Sequence, residues 1–124
     1  HNNTVLNNPS NPDQGTYAGD EDTMRKPAYH NGTAWTWLFP SFCEAWVEVY
    51  GAESKDTALS LLSSAVELIS YGCTGHIPEI LDGDYPHKAR GCDAQAWGAS
   101  EALRVRTKLL QSKINSLILS SRTL

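Results

Sequence analysis

Between Cys73 and Cys92 the chain gathers His76, Glu79, Asp82, Asp84, His87, Lys88 and Arg90 among Gly75, Gly83, Gly91, Pro78 and Pro86. Several chemistries are open to such a stretch. As a solvated loop, its Asp and Gly residues would simply make turns, and Asp82-Gly83-Asp84 is a good turn sequence. As a metal site, Cys73-x-x-His76 and His87-x4-Cys92 would be two zinc half-sites, although the acids and prolines between them are foreign to a closed structural site. In an oxidising compartment the same two cysteines could pair as a disulfide. The remaining reading is carboxylate chemistry on a neutral substrate. Glu79 follows Pro78 and lies between Ile77 and Ile80, a local apolar setting able to hold a carboxyl in one orientation.

Sugar hydrolysis needs an acid and a base on opposite sides of the ring, with aromatic faces against its C–H surface. Four tryptophans in 124 residues, with amides such as Gln95 nearby, suit that demand. Phosphate ligands fit poorly, because no Gly-rich loop precedes a helix with a nearby Lys. Ten Lys plus Arg against fourteen Asp plus Glu give a net charge of −4. That balance speaks against a surface for nucleic acid or for an anionic membrane. No run reaches the roughly 18 apolar residues of a membrane span.

The elements that must position these groups read as helices. Residues 1–28, with Asn-Pro pairs, Gly15, Gly19 and the acidic Asp20-Glu21-Asp22, read as irregular. Residues 33–50 read as a helix capped by Asn31 or Thr33 and stopped by Gly51, with Pro40 kinking it or marking its proper start. Its apolar residues keep to no single stripe, which belongs inside something larger. Residues 54–71 are one-sided: Ala58, Leu61, Leu62, Ala65, Leu68 and Ile69 face one way, Ser54 is placed to cap, and Gly72 to close. A helix capped by Asp93 follows. Ala94, Ala96, Gly98, Ala99 and Ala102 suit tight packing, and Leu103, Val105, Leu109, Leu110, Ile114, Leu117 and Ile118 carry it on or break it near Ser112. The balance is all-α, with no convincing strand.

Three blocks then match one family. Tyr29-His30-Asn31-Gly32-Thr33-Ala34-Trp35-Thr36-Trp37 resembles a segment of glycogen debranching enzymes of the amylo-α-1,6-glucosidase type. Ile77-Pro78-Glu79-Ile80-Leu81-Asp82-Gly83-Asp84 and Arg90-Gly91-Cys92-Asp93-Ala94-Gln95-Ala96-Trp97 resemble that family's last active-site loop and final helix. The resemblance implies a partial (α/α)6 toroid, in which residues 29–124 supply about the last three of twelve helices behind an irregular segment 1–28.

It further implies inverting hydrolysis of α-1,6-linked glucose in a branched glucan, with Glu79 as general base. Trp35 and Trp97 become sugar platforms. His30, His87, Arg90 and Gln95 become hydroxyl contacts or supports for Glu79, while Trp37 and Trp46 are left to the core and Asp82 and Asp84 to turns. The general acid of such enzymes lies upstream in the toroid, so the expected partners are branched glucan and the remainder of that domain. A cytoplasmic setting is implied, with no cofactor and no metal. The rival expectations are a non-catalytic carbohydrate-binding or regulatory module, and a small zinc-stabilised interaction module.

Overall fold

In the computed structural model, which describes residues 9, 10 and 12–121, the first regular element is a helical turn over Glu21–Arg25 that runs into α1 (Lys26–His30). The irregular reading of residues 1–28 is therefore corrected from Glu21 onward, and residues 1–8 and 11 lie outside the described residues. The physical reason is a cap. Asp20 Oδ1 accepts from the amides of Asp22 (3.2 Å) and Thr23 (3.0 Å) and from the Thr23 hydroxyl (2.8 Å). Glu21 and Asp22 then place negative charge in the first turn, where the helix dipole favours it.

Strand β1 (Ala34–Trp35) follows, then α2 (Leu38–Tyr50), a turn of 3-10 helix (Ala52–Ser54), α3 (Lys55–Glu67) and a second 3-10 turn (Leu68–Ser70). Two more short strands, β2 (Ile80–Leu81) and β3 (Ala89–Arg90), precede the long α4 (Ala96–Ser121). The fold is thus mostly helical, but the expectation of no strand is wrong. The three strands pair antiparallel in the order β1-β2-β3, with Trp35 opposite Ile80 and Ile80 opposite Arg90. Two-residue strands are too short for any alternation to register in a sequence.

Several caps also differ from expectation. Helix α2 starts at Leu38, so neither Asn31 nor Thr33 caps it; the Thr33 hydroxyl donates instead to the Tyr29 carbonyl (3.0 Å). Pro40 sits in the first turn, where its missing N–H has no intrahelical partner to lose. Ser54 occupies the cap position of α3, yet its hydroxyl turns back to the Gly51 carbonyl (2.8 Å). Asp93 lies in a turn three residues ahead of Ala96, where α4 starts, and α4 runs past Ser112 unbroken. The side chain of Leu117 lies outside the described residues.

Helices α2, α3 and α4 pack on one another around Cys43, Ala58, Leu62, Ile77, Ala102, Val105 and Leu109, with Phe39, Trp46 and Leu68 against that cluster. The stripe read on α3 is the face it buries. The excess apolar surface read on α2 is also real: Leu38, Phe42, Val49 and Tyr50 are each about half exposed or more, as are Leu103 and Ile114 on α4. Such surface is more than scattered single residues need. No helix among the described residues is long and apolar enough to cross a membrane.

A charge clamp joins α2 to α4. Glu44 accepts from Arg104 (Nη2–Oε2 2.6 Å, Nη1–Oε1 3.2 Å) and from Lys108 (2.6 Å), while Glu101 and Glu48 hold the other sides of those cations. The hydrogen bond from Arg104 first, and then that from Lys108, pulls the Glu44 carboxyl down to about 2, and both cations are pushed above their ordinary values. A carboxyl depressed in the folded state stabilises the fold above its unfolded value of 4.5. That stability is lost as pH falls toward 2. Urea unfolding midpoints are expected to drop between pH 5 and pH 2.5, and to drop less in Glu44→Gln. An equal drop in both proteins would show that the clamp carries none of the acid sensitivity.

Candidate functional site

Glu79 stands immediately before β2, and the short sheet fixes its main chain from both sides. Its amide donates to the Cys92 carbonyl (2.8 Å), and its carbonyl accepts from the Thr36 amide (3.2 Å) and hydroxyl (3.1 Å). The Thr36 hydroxyl also reaches the Pro78 carbonyl (2.6 Å). Ile77, Pro78 and Ile80 are buried, so the apolar flanks read from the sequence anchor the segment as expected. On α4, Gly98 lies so close to Thr36 and Ile77 that an added Cβ would come within 3.1 Å and 3.2 Å of them. The small-residue start of α4 therefore brings Gln95, one residue before the helix, against Glu79.

Three donors hold the Glu79 carboxylate. Oε1 accepts from the Tyr29 hydroxyl and from Gln95 Nε2 (2.9 Å), and Oε2 accepts from the Cys92 amide (3.1 Å). A carboxylate offers about four lone-pair positions, so Oε2 keeps one for a further donor. The close approach of the 91–92 backbone depends on Gly91. At φ of 70°, an added Cβ would lie 2.4 Å from Oε2. The carboxylate borders an open cleft of about 830 Å³ whose wall includes Tyr17, Arg25, Lys26, Tyr29, Arg90 and Cys92. That volume falls in the range of about 300–1,000 Å³ usual for small-ligand sites.

Tyr29 owes its position to α1 and β1. The Trp35 indole N–H donates to the Tyr29 carbonyl (3.1 Å), and the two rings meet edge to face with centroids 4.6 Å apart. Burial, then the hydrogen bond and charge of Glu79, push the Tyr29 phenol up to about 12. It stays protonated at neutral pH and acts on Glu79 as a donor.

The far wall of the cleft rests on Asp82. This carboxylate is buried, accepts from Arg90 Nε (3.1 Å) and from the Tyr17 amide (2.8 Å), and so ties residues 12–18, an irregular N-terminal strap, to the β2–β3 hairpin. The strap is held further by Gln14 N to the Asn31 carbonyl (2.8 Å) and Asp84 N to the Gly15 carbonyl (3.0 Å). Asp82 is therefore more than a turn residue.

Of the residues expected at the site, Glu79, Arg90 and Gln95 come together. Gln95 supports Glu79, and Arg90 lines the cleft while paired with Asp82. His30 is exposed beside Tyr29, with ring centroids 5.1 Å apart. Trp35 does not line the Glu79 cleft; it borders an apolar depression with Phe39, Ala65, Leu68 and Leu81. His87 lies beside a different depression with Tyr71 and Lys88, and its Nδ1 is 3.0 Å from the Asp82 carbonyl oxygen. Trp97, half exposed, stacks on Trp37 with centroids 4.1 Å apart and planes 12° apart. Trp37 is accordingly half of a surface stack and not a core residue, whereas Trp46 packs against the core.

Tyr29, Tyr17, Asp82 and the Cys92 amide are the site groups that sequence reasoning missed. Tyr29 stood inside a matched block without a role. Cys73 and Cys92 are free thiols, and among the described residues no three His, Cys, Asp or Glu side chains gather as a metal set.

Comparison with known families matches residues 5–104 to the model described as amylo-alpha-1,6-glucosidase. The match spans all three of the blocks above. Comparisons with curated proteins and with solved structures give no match.

Proposed function

The chain belongs to the amylo-alpha-1,6-glucosidase family, and from that premise we propose that it supplies the general base, Glu79, to an inverting hydrolase of α-1,6 branch linkages in a glycogen-type glucan. The observation that carries this reading is the Glu79 carboxylate, gripped by three donors with one lone pair of Oε2 left at the cleft. In an inverting mechanism the base removes a proton from water as that oxygen attacks the anomeric carbon from the face opposite the leaving group. Water hydrogen-bonded to the open position of Oε2 would pass its proton there. Tyr29, Gln95 and the Cys92 amide meanwhile keep the carboxylate from turning, which is the alignment such a step requires.

The proton for the leaving oxygen comes, in this proposal, from an acid outside the chain. Glu21, the other carboxylate on the cleft wall, is engaged with Arg25 (3.6 Å). The exposed apolar surface of α2 and α4 supports the same view, as surface that the other helices of an (α/α)6 toroid would cover. The Trp97–Trp37 stack then offers a platform to a longer glucan chain, with Arg90 near hydroxyls at the cleft and His30 exposed beside Tyr29. A cytoplasmic setting accords with the free thiols.

The purified 124-residue chain is expected to release no glucose from a branched limit dextrin in a coupled glucose assay. Steady release above a buffer control would show that the chain holds its own acid and would overturn this division of roles.

A further inference from the structure

We propose that Trp35 is a positioning residue for Glu79, acting through Tyr29, rather than a surface on which sugar stacks. Three contacts carry the argument. The Trp35 indole N–H is committed to the Tyr29 carbonyl (3.1 Å), its ring meets the Tyr29 ring edge to face at 4.6 Å, and Tyr29 gives its hydroxyl to Glu79 Oε1. Trp35 is also paired across the sheet with Ile80, the residue after Glu79. It therefore braces the base by two routes, one through the backbone ladder and one through the tyrosine.

Trp35 is not among the residues that line the cleft. The aromatic lining there is Tyr17 and Tyr29, while Trp35 faces a separate apolar depression of about 280 Å³ with Phe39, Ala65, Leu68 and Leu81. A ring anchored at its N–H and packed by an edge contact loses little freedom when substrate arrives, which suits a brace. Burial is the first cause that holds the Tyr29 phenol high, and the Trp35 ring is packed against the Tyr29 ring. The other groups facing Tyr29 are Glu79 from the segment just before β2, Tyr17 from the strap and His30 from its own helix.

The ligand class rests on the glucosidase reading above, but the bracing does not, so the test reads the tyrosine directly. Tyrosine ionisation is followed in the whole chain by ultraviolet difference titration, with Tyr29→Phe identifying the Tyr29 component. Trp35 is replaced by Phe, and separately by benzothienylalanine, an isosteric ring that lacks only the N–H. The Tyr29 titration is expected to move from about 12 toward the ordinary phenol value near 10 in Trp35→Phe, and part of the way in the isostere. In a competent glucosidase, Trp35→Phe is expected to lower kcat about tenfold at constant KM. An unmoved titration in both variants overturns the proposal. So does a rise in KM at constant kcat, the mark of a sugar platform. Failure of the glucosidase reading would show elsewhere, as unaltered turnover in Glu79→Gln.

Discussion

Replacing Glu79 by Gln is expected to lower the turnover of α-1,6-branched glucan by about 10²- to 10⁴-fold in a competent glucosidase, with sugar affinity almost unchanged. The reasoning starts from the donors. Gln keeps the size of the side chain and one carbonyl oxygen, so Tyr29 or Gln95 can still donate to that oxygen. Its –NH2, however, cannot take a proton from water, and it would face the Cys92 amide donor to donor. The chemical step loses its base while the ground-state contacts made by the rest of the cleft survive. Steady-state kinetics should therefore show a fall in kcat with KM held, the signature of an interaction made in the transition state. Retained turnover in Glu79→Gln would remove Glu79 from the role of base.

How far the sequence discloses this site depends on how local each signal is. The stripe of α3 was legible because Ala58, Leu62 and Ala65 repeat at helical spacing, and that face is buried. The anchoring of the Glu79 segment was legible from its immediate neighbours, since Ile77, Pro78 and Ile80 are buried on either side of it. The helical turn at Glu21 hid because Asp20-Glu21-Asp22 reads equally well as a turn, and only the cap geometry separates the two. Tyr29 and Gln95 meet Glu79 across 50 and 16 residues of chain, and no periodicity encodes such an encounter. Asp82 was hidden for the same reason: its partner Tyr17 arrives from 65 residues away. The roles of the tryptophans are less legible because an indole serves equally as a platform, a brace or a packing slab, and the sequence does not say where its N–H finds an acceptor. For Trp35 that acceptor is the backbone of Tyr29.

The Asp82→Ala variant is expected to lose about 3 kcal/mol of stability, a large share of what a domain of this size holds. Asp82 is the one buried carboxylate among the described residues, and both its oxygens are used, Oδ2 by Arg90 and Oδ1 by the Tyr17 amide. Truncation strands a cation and a backbone donor together. Because Arg90 keeps about a third of its side-chain surface in water, its share of the cost falls below that of a fully buried pair. The part-buried Tyr17 amide loses its acceptor as well, a cost that detachment of the strap would relieve. Two measurements follow from that choice. The urea midpoint should fall in Asp82→Ala and fall less in Asp82→Asn, which keeps an acceptor for Tyr17 and gives up the charge. Hydrogen exchange at the Tyr17 amide should quicken in Asp82→Ala by more than global unfolding accounts for, because the strap leaves before the three-helix core opens. Nothing in α2, α3 or α4 touches Asp82 through a hydrogen bond among those described, so the core should persist while the cleft loses the wall that Tyr17 provides. If the midpoint of Asp82→Ala matched that of the unaltered chain, Asp82 would be no more than the turn residue its sequence suggests.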